Sequence, residues 1–283
     1  MSEAVSIKRL SLEELPMMLA WAGEEGWGPG ADDAAPFHAA DPHGFLCLFK
    51  GDEPISVISS IRYGNDFGFL GFYICKPEFR GQGHGLRIWN EAMAHLDGRT
   101  IGLDGVVEQQ ENYAKSGFEL AHRNIRFGGI SNVATPIDSR ISQIGTGIMD
   151  SIVEYDRPFF AEDREAFVRL WNAPMNRQRY GFYAIENGSI KGYGTIRASD
   201  IGYKIGPLFA DTEEIADLLF RTLAGTVRGQ NIFLDLPETN PLAERLAERY
   251  ELSPVFETAR MYKGSAPKLP LDRIYGVTTF ELG

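Results

Sequence analysis

A glycine-rich turn in the first half of the chain carries the residues best suited to chemistry. Residues 73–86 read YICKPEFRGQGHGL, an apolar strand pattern and a proline followed by three closely spaced glycines. Apolar residues then recur at helical spacing, at Leu86, Trp89, Met93 and Leu96. Uncovered N–H groups and the dipole at such a helix N-terminus favour a phosphate or pyrophosphate, and Arg80 adds a positive charge. The turn therefore predicts a ligand with phosphate groups.

A dinucleotide site is one alternative for this turn. The fingerprint of such sites is G-x-G-x-x-G, whereas this chain has Leu86 at the last position. Asp104 lies at the distance where a ribose-binding acid could sit. However, the turn follows a run of hairpin strands rather than opening a βαβ unit, so the dinucleotide reading fits poorly.

The elements around the turn can be placed from their patterns. Strands are expected at 44–50, 54–63 and 67–75, because turn pairs such as Gly51-Asp52 and Gly64-Asn65 separate these runs. A strand at 100–106, a helix near 108–116 and a strand at 119–128 follow the helix of the turn. Upstream, Ser11 to Glu14 forms a capping-box pattern, although Pro16 complicates the helix start.

A weak internal repeat divides the chain. Residues 101–104 (IGLD) match residues 232–235 (IFLD), and each match leads through a helix-like segment to a strand with a basic residue and an aromatic one, at 126–128 and 260–262. The repeated aspartates, Asp104 and Asp235, are about half a chain apart, so the repeat predicts a duplicated domain rather than a solenoid. Chance similarity of two strand–helix–strand units is the alternative.

The repeat sets the expected domain organisation. The first domain is expected at 1–132, the second at 148–264, and a docking tail at 265–283. In the second domain we expect a helix at 162–172, strands at 180–186, 190–198 and 201–209, a helix capped by Thr212 and a last helix opened by Asn240-Pro241. The apolar run at 274–280 would be costly to expose, so it is expected to pair with a sheet or dock.

Composition limits the classes of function. The chain has 283 residues, a net charge of −11 and a pI near 5.0. Because binding to a phosphate backbone needs a positive surface, no nucleic-acid partner is expected. No apolar run reaches a membrane-spanning length, and the first residues lack a secretory pattern. Two cysteines, Cys47 and Cys75, fit a reducing cytoplasm. The five histidines show no metal-ligand spacing, so no metal site is expected.

The glycine turn and its surroundings together resemble the GNAT superfamily of N-acetyltransferases. The shared features are the preceding strand, Arg80-x-x-Gly83-x-Gly85, and the later Tyr113-Ala-Lys-Ser-Gly-Phe118. The resemblance covers about residues 5–130. The second half looks like a further, degenerate copy, because residues 206–211 (GPLFAD) run into their helix without a glycine loop.

The resemblance implies a fold and a cosubstrate. The fold class is α/β (α+β), with two GNAT-like domains, each a mixed, mostly antiparallel sheet flanked by helices. The cosubstrate is acetyl-CoA, and no metal is implied. The family pattern assigns its pyrophosphate to the backbone of the turn and its pantetheine arm to the edge of a splayed fourth strand. The cofactor-binding residues so implied are Tyr73, Ile74, Cys75, Arg80, Gly81, Gln82, Gly83, His84, Gly85 and Leu86.

Catalytic roles follow from the same resemblance. Tyr113 matches the family tyrosine and is the candidate general acid for the departing thiolate; packing beside Phe118 is its alternative role. Many relatives carry a Glu on the fourth strand as general base, but residues 67–72 (FGFLGF) have no carboxylate. Asp104, Asp66, a water chain or a group from the tail therefore remain open as the base. Cys75 could form an acetyl-enzyme, although a strand cysteine is more often a small hydrophobe.

The implied function is an N-acetyltransferase that acts by direct attack of a small-molecule primary amine, with catalysis in the N-terminal domain. Substrate contacts are expected in the loop at Trp27, Asp32 and Phe37, which resembles the substrate-side loops of two-domain relatives. The second domain is expected to shape the cleft or an oligomer interface, so a homodimer is one expected assembly. A non-catalytic acetyl-CoA or CoA sensor is the alternative function.

Overall fold

Thirteen strands form a single sheet in the computed structural model, which describes residues 4–173 and 178–283. The strands are β1 (Val5–Arg9), β2 (Phe45–Lys50), β3 (Glu53–Tyr63), β4 (Phe67–Cys75), β5 (Thr100–Val106), β6 (Glu119–Ile130), β7 (Ile141–Gln143), β8 (Arg179–Glu186), β9 (Ser189–Ser199), β10 (Gly202–Ala210), β11 (Asn231–Pro237), β12 (Ser253–Lys263) and β13 (Ile274–Gly276). Their order is β1-β2-β3-β4-β5-β12-β6-β11-β10-β9-β8-β7, and β13 pairs with β10 off this path.

The helices cover the two faces of this sheet. They are α1 (Leu15–Glu24), α2 (Ala34–Ala40), α3 (His84–His95), α4 (Gln110–Lys115), α5 (Met149–Asp156), α6 (Glu165–Trp171), α7 (Glu213–Gly225) and α8 (Pro241–Arg249). Alternate residues of β2 belong to different cores: Phe45 and Cys47 to one, Leu46 and Leu48 to the other. Because successive strand residues point to opposite faces, the sheet is buried on both sides.

The two halves exchange a strand at their junction. β12, from the second half, lies between β5 and β6, and β6, from the first half, lies between β12 and β11. All of these pairings are antiparallel, while β4 with β5 and β10 with β11 pair in parallel. The α/β fold is therefore as expected, but the two domains share one sheet. The ranges 1–132 and 148–264 remain predictions of where each half begins and ends.

Reciprocal ion pairs connect the exchanged strands. Arg260 of β12 donates Nε and Nη2 to the two carboxylate oxygens of Asp104 at 2.7 and 2.6 Å. Arg126 of β6 donates to both oxygens of Asp235 at 2.6 and 2.9 Å. Each repeated aspartate thus pairs with the repeated arginine of the other half. Bidentate pairs of this kind hold a fixed geometry. The duplication therefore places one such ion pair at each of two crossings, where β12 pairs with β5 and where β6 pairs with β11.

The tail enters the second half and then crosses to the first. β13 pairs antiparallel with β10, with Leu208 opposite Gly276 and Phe209 opposite Ile274. The N–H of Val277 donates to the carbonyl of Asp235 on β11 at 2.7 Å, so the tail lies between β10 and β11. Residues 274–283 are buried throughout. The apolar run expected to dock is therefore a strand followed by a buried segment.

Candidate active site

The strands β4 and β5 separate halfway along their length. Their parallel pairing runs from Phe67 with Thr100 to Leu70 with Leu103 and goes no further. Just beyond, Phe72 has φ +48°, a left-handed conformation that is unusual for a bulky residue, and the register of β4 with β3 shifts at the same level. Sparsely populated backbone conformations of this kind cluster at ligand sites. The bend turns the second half of β4 away from β5.

A cavity of about 460 Å³ fills the splay. Its size lies within the range of small-molecule sites. Both edges of the splay, helices α3 and α4, β12 and the tail contribute to its walls. The lining residues are Glu25, Trp27, Leu70, Gly71, Phe72, Tyr73, Ile74, Cys75, Arg80, Trp89, Leu103, Asp104, Gly105, Val106, Glu108, Gln109, Tyr113, Phe256, Thr258, Phe280 and Glu281. The site is thus built from both halves of the chain.

The glycine turn lies beside the cavity and opens α3. Gly81 and Gly83 have φ +74° and +81°, values that glycine adopts without strain, and a Cβ at either position would meet only open space. Gly83 caps the helix without a side-chain hydrogen bond, and the first turn holds no acidic residue. No side chain of the cap or acidic residue of the first turn competes for the N–H groups there, and the anion site that the sequence predicts at this turn stays a prediction.

Arg80, Gln82 and His84 surround this turn. Arg80 lines the cavity, donates Nε to the carbonyl of Cys75 at 2.8 Å and pairs with Glu25 at 2.8 Å. Gln82 donates to the Glu78 carbonyl at 2.9 Å, and the His84 ring lies 6.3 Å from the Phe79 ring. The Leu86 side chain is exposed. An arginine oriented at a helix N-terminus beside a cavity can bind a phosphate.

Close packing positions the second half of β4 against α3. A Cβ at Gly85 would lie 2.8 Å from the Tyr73 hydroxyl oxygen, so a larger residue there would have to displace the end of the Tyr73 side chain. Burial raises the pKa of Tyr73 and of the Cys75 thiol. A raised thiol pKa leaves little thiolate, which is the nucleophilic form. Cys75 therefore has the surroundings of a cavity-lining residue rather than those of a nucleophile.

Tyr113 lies in the cavity wall as a protonated phenol. Its ring stacks on Trp89 with centroids 5.6 Å apart, and the absence of a Cβ at Gly105 leaves room for it. Burial is the main cause of a raised pKa for Tyr113, and the neighbouring Tyr73 adds to it. The hydroxyl therefore keeps its proton at neutral pH, as a general acid requires. The contact with Trp89 shows the packing role of Tyr113, and its role as general acid stays a prediction.

Asp104 is committed to the junction of the two halves. Besides both bonds from Arg260, its Oδ1 accepts from the Asn124 amide at 2.8 Å. Its side chain has no exposed surface. Both oxygens of this carboxylate are thus already occupied by hydrogen-bond donors from the protein. The geometry favours a structural role for Asp104 over the role of general base.

The expected substrate loop separates into three environments. Trp27 lines the cavity, and its carbonyl accepts from Arg126 Nη1 at 2.9 Å. Asp32 accepts from Arg179 at 2.9 Å, outside the cavity lining. Phe37 is 1% exposed, packs in the core and is outside the lining too. Only Trp27 of the three lies at the site.

Residues of the second half complete the cavity; the sequence pointed to a group from the tail as one open candidate for the base, but not to the residues of β12. These second-half residues are Phe256 and Thr258 on β12 and Phe280 and Glu281 in the tail. One signal was available: Glu281 is the single carboxylate in the apolar run 274–283. The strand exchange that brings β12 to the site leaves no local sequence pattern.

The described part of the chain contains neither a metal-binding cluster nor a helix able to span a membrane. Within residues 4–173 and 178–283 no group of three or more His, Cys, Asp and Glu side chains is arranged to hold a metal ion. In the same ranges, none of the helices combines the length and the apolar character needed to cross a bilayer.

Comparison with family models identifies both halves. A model of the Acetyltransferase (GNAT) family matches residues 10–118, and a model of an Acetyltransferase (GNAT) domain matches residues 152–276. The chain is 31% identical over 277 residues to the holothin acyltransferase of Pseudoalteromonas sp. (strain SANK 73390). The alignment covers 98% of this chain and 94% of that protein.

Solved structures show the same fold. A putative acetyltransferase from Pyrococcus horikoshii superimposes with a TM-score of 0.83 at 21% identity, over 99% of this chain and 96% of that one. A tandem GNAT protein from the clavulanic acid biosynthesis pathway superimposes with a TM-score of 0.63 at 12% identity, over 94% of this chain and all of that one (100%). The tandem arrangement thus extends over nearly the whole chain.

Proposed function

The chain belongs to the GNAT family of acetyltransferases, and from that premise we propose that it is an N-acetyltransferase that transfers the acetyl group of acetyl-CoA to a primary amine of a small molecule. Catalysis takes place in the N-terminal domain. One observation carries the proposal: the open splay of β4 and β5 holds a cavity with Tyr113 in its wall, and Arg80, which also lines it, lies just before the α3 N-terminus, where no side chain caps the helix.

The parts of acetyl-CoA match the parts of this site. The N–H groups of residues 81–86 and the charge of Arg80 suit the pyrophosphate. The edge of β4 at Tyr73, Ile74 and Cys75 lines the cavity, and an extended amide chain such as pantetheine can hydrogen-bond to a strand edge. The thioester then lies deeper in the splay. This placement explains why β4 and β5 part where they do.

The chemistry requires a neutral amine and a proton for the leaving group. An alkyl amine has a pKa of about 10 and must lose a proton before it attacks. Attack on the thioester carbonyl expels the coenzyme A thiolate, and the Tyr113 hydroxyl supplies its proton. A phenol with the ordinary pKa of about 10 is already protonated at neutral pH, and burial raises the pKa of Tyr113 further, so the hydroxyl has a proton to give.

The acceptor side of the cavity is aromatic. Trp27, Phe256 and Phe280 line it, and the Arg126 guanidinium lies over the rings of Phe256 and Phe280 at 5.6 and 5.0 Å. Flat apolar walls suit an amine on a planar or apolar body. The similarity to the holothin acyltransferase makes holothin one acceptor to include in a test.

Release of thiol from acetyl-CoA across a panel of amines, holothin included, tests the proposal. The wild-type protein is expected to release thiol with at least one amine. Tyr113→Phe should lower kcat by about 100-fold, since general acid–base catalysis contributes that much or more, with unchanged acetyl-CoA affinity by calorimetry. Tyr203→Phe, on β10 and outside the cavity lining, is the matched control.

Two other outcomes would contradict this assignment. Tight acetyl-CoA binding without thiol release for any amine would indicate a sensor instead of an enzyme. Unchanged turnover in Tyr113→Phe would leave an acetyltransferase in which this tyrosine only packs against Trp89.

A further inference from the structure

We infer that Glu281, delivered by the tail, accepts the proton of the acceptor amine. This inference rests on the proposed acetyl transfer and assigns the general base that β4 lacks. Glu281 thereby becomes a catalytic residue supplied to the N-terminal site by the last residues of the chain.

The side chain of Glu281 is buried, and among the described residues only one of its two carboxylate oxygens has a hydrogen-bond partner. It lines the cavity, and 2% of its side-chain surface is exposed. Its Oε2 accepts from the Thr279 hydroxyl, and its backbone N–H donates back to that hydroxyl oxygen at 3.1 Å. Among the described residues its Oε1 has no hydrogen-bond partner. Because buried polar atoms in folded proteins are almost always bonded, the free Oε1 marks a place for a donor from a ligand.

The charges that face Glu281 come from three strands. The Lys204 ammonium of β10 lies 3.9 Å from Glu281 Oε1 and 3.9 Å from Asp235 Oδ2 of β11. Arg126 of β6, which carries a bidentate bond to Asp235, also interacts with Glu281 electrostatically. Burial lowers the pKa of Lys204 to about 8. The lysine is therefore shared by two carboxylates, and neither nearby cation hydrogen-bonds to Oε1.

The tail is held on both sides of this residue. Before it, β13 pairs with β10 in the second half. After it, the Leu282 carbonyl accepts from the Tyr63 hydroxyl at 3.0 Å and the Gly283 carbonyl accepts from Arg164 at 3.3 Å. At Glu281 itself the backbone presses on β4: a Cβ at Gly71 would overlap the Glu281 carbonyl oxygen. Such support on both sides fixes a side chain in the way catalysis needs.

The proton balance of the step is complete. The ammonium group of the acceptor gives one proton to Glu281 Oε1, and the neutral amine attacks the thioester carbon. The C–N bond forms, the C–S bond breaks, and its electron pair leaves on the coenzyme A sulfur, which takes the Tyr113 proton. The second amine proton restores Tyr113, and Glu281 releases its proton to water. The products are the amide, the free thiol and one proton.

An amine series tests the assignment. Thiol release is measured from about pH 6 to about pH 9 for the wild-type protein and Glu281→Gln, with an alkyl amine and with an aryl amine that is already neutral. The variant should lose about 100-fold in kcat/KM for the alkyl amine at neutral pH. The loss should shrink towards high pH and stay below about tenfold for the aryl amine, because neither condition needs a base.

Controls separate this role from a structural one. Glu248→Gln, on the exposed part of α8, should match the wild-type protein. Calorimetry should give an unchanged acetyl-CoA affinity for Glu281→Gln. If that variant does not fold, Glu281→Asp keeps the carboxylate but shortens the side chain, and its rate should fall more for the alkyl amine than for the aryl amine.

The outcomes also separate this inference from the proposed function. Equal losses with both amines, or no loss, would overturn the role of Glu281 while the wild-type turnover still supports an acetyltransferase. No turnover by the wild-type protein with any amine would overturn both. Equal losses with both amines in Glu281→Asp would likewise contradict the assignment.

Discussion

The two halves of the molecule build the same splay and fill it differently. In the first half β4 and β5 stop pairing after Leu70 and Leu103, and a cavity begins. In the second half β10 and β11 stop pairing after Ile205 and Leu234, and β13 takes the space. An extended segment satisfies an open strand edge whether it belongs to the chain or to a ligand. The second splay is therefore closed by the protein itself.

The helices that follow the two splays differ in the same sense. In α3 the cap is Gly83, without a side-chain bond, and the first turn has no acidic residue. In α7 the Thr212 hydroxyl accepts from the Ile215 N–H at 3.3 Å, and Glu213 and Glu214 occupy the first turn. Carboxylates at a helix N-terminus use the favourable end of the dipole and repel a phosphate. One helix start is thus open to an anion and the other is already occupied.

The tail makes these two regions depend on each other. Gly71 and Gly206 are both the fifth residue of a nine-residue strand, β4 and β10 respectively. A Cβ at Gly206 would lie 2.6 Å from the carbonyl oxygens of Val277 and Thr278, and one at Gly71 would overlap that of Glu281. The repeated glycines therefore admit the same tail at both splays. The closed splay anchors the segment that completes the open one.

The largest expected effect comes from breaking this arrangement at the open splay. Gly71→Ala should displace the tail at Glu281 and lower kcat by at least about 100-fold, since it removes the general base from its position. Thiol release measures the loss, and limited proteolysis reports a freed tail. Gly145→Ala, where a Cβ meets nothing within 4 Å, is the control. Full activity in Gly71→Ala would show that the tail position does not matter.

The second effect is a pH dependence of the free energy of unfolding, which should arise at the crossing of Arg260 and not at that of Arg126. Burial and Arg260 lower the pKa of His122, on β6, to about 4. The unfolded chain, with the ordinary histidine pKa, binds the proton first, so stability is lost as pH falls from about 6.5 towards about 4. From pH 7 to pH 5 the loss should be about 2 kcal/mol.

Urea unfolding at the two pH values measures this contribution. His122→Gln should remove it, whereas a variant at the other crossing, Phe256→Leu, should keep it because no histidine lies there. The buried aspartates with lowered pKa, such as Asp33 and Asp235, are shared by all three proteins and lose their contribution as pH falls further. An unchanged pH dependence in His122→Gln would contradict the prediction.

The smallest effects compare the two helix starts. Gly83→Ala places a side chain at φ +81°, which strains the turn by about 1–2 kcal/mol. Because this strain favours other conformations of the turn over the one that binds, acetyl-CoA affinity should fall about tenfold. Thr212→Ala removes a cap and should cost about 1 kcal/mol of stability without changing that affinity. Calorimetry and urea unfolding measure the two quantities. Equal loss of affinity in both variants would mean that the second half also takes part in binding.

Local patterns predicted most of the elements and the open part of the site. The expected strands at 44–50, 54–63 and 67–75 are β2, β3 and β4 to within a residue at each end. Thr212 and Asn240 cap α7 and α8 as expected. The short helices α2 and α5 were not predicted, because the packing of their aromatic and aliphatic residues against other elements stabilises them more than local signals do.

By itself, the sequence determined the duplicated fold, the glycine turn and the presence of Tyr113, because each depends on neighbours within about one supersecondary unit. The tertiary structure alone decided which strands meet at the junction and what fills each splay. It paired Asp104 with Arg260 and placed Glu281 in the cavity. These contacts join residues more than 150 positions apart. Long-range pairing follows from the burial of whole surfaces, and no local spacing records it.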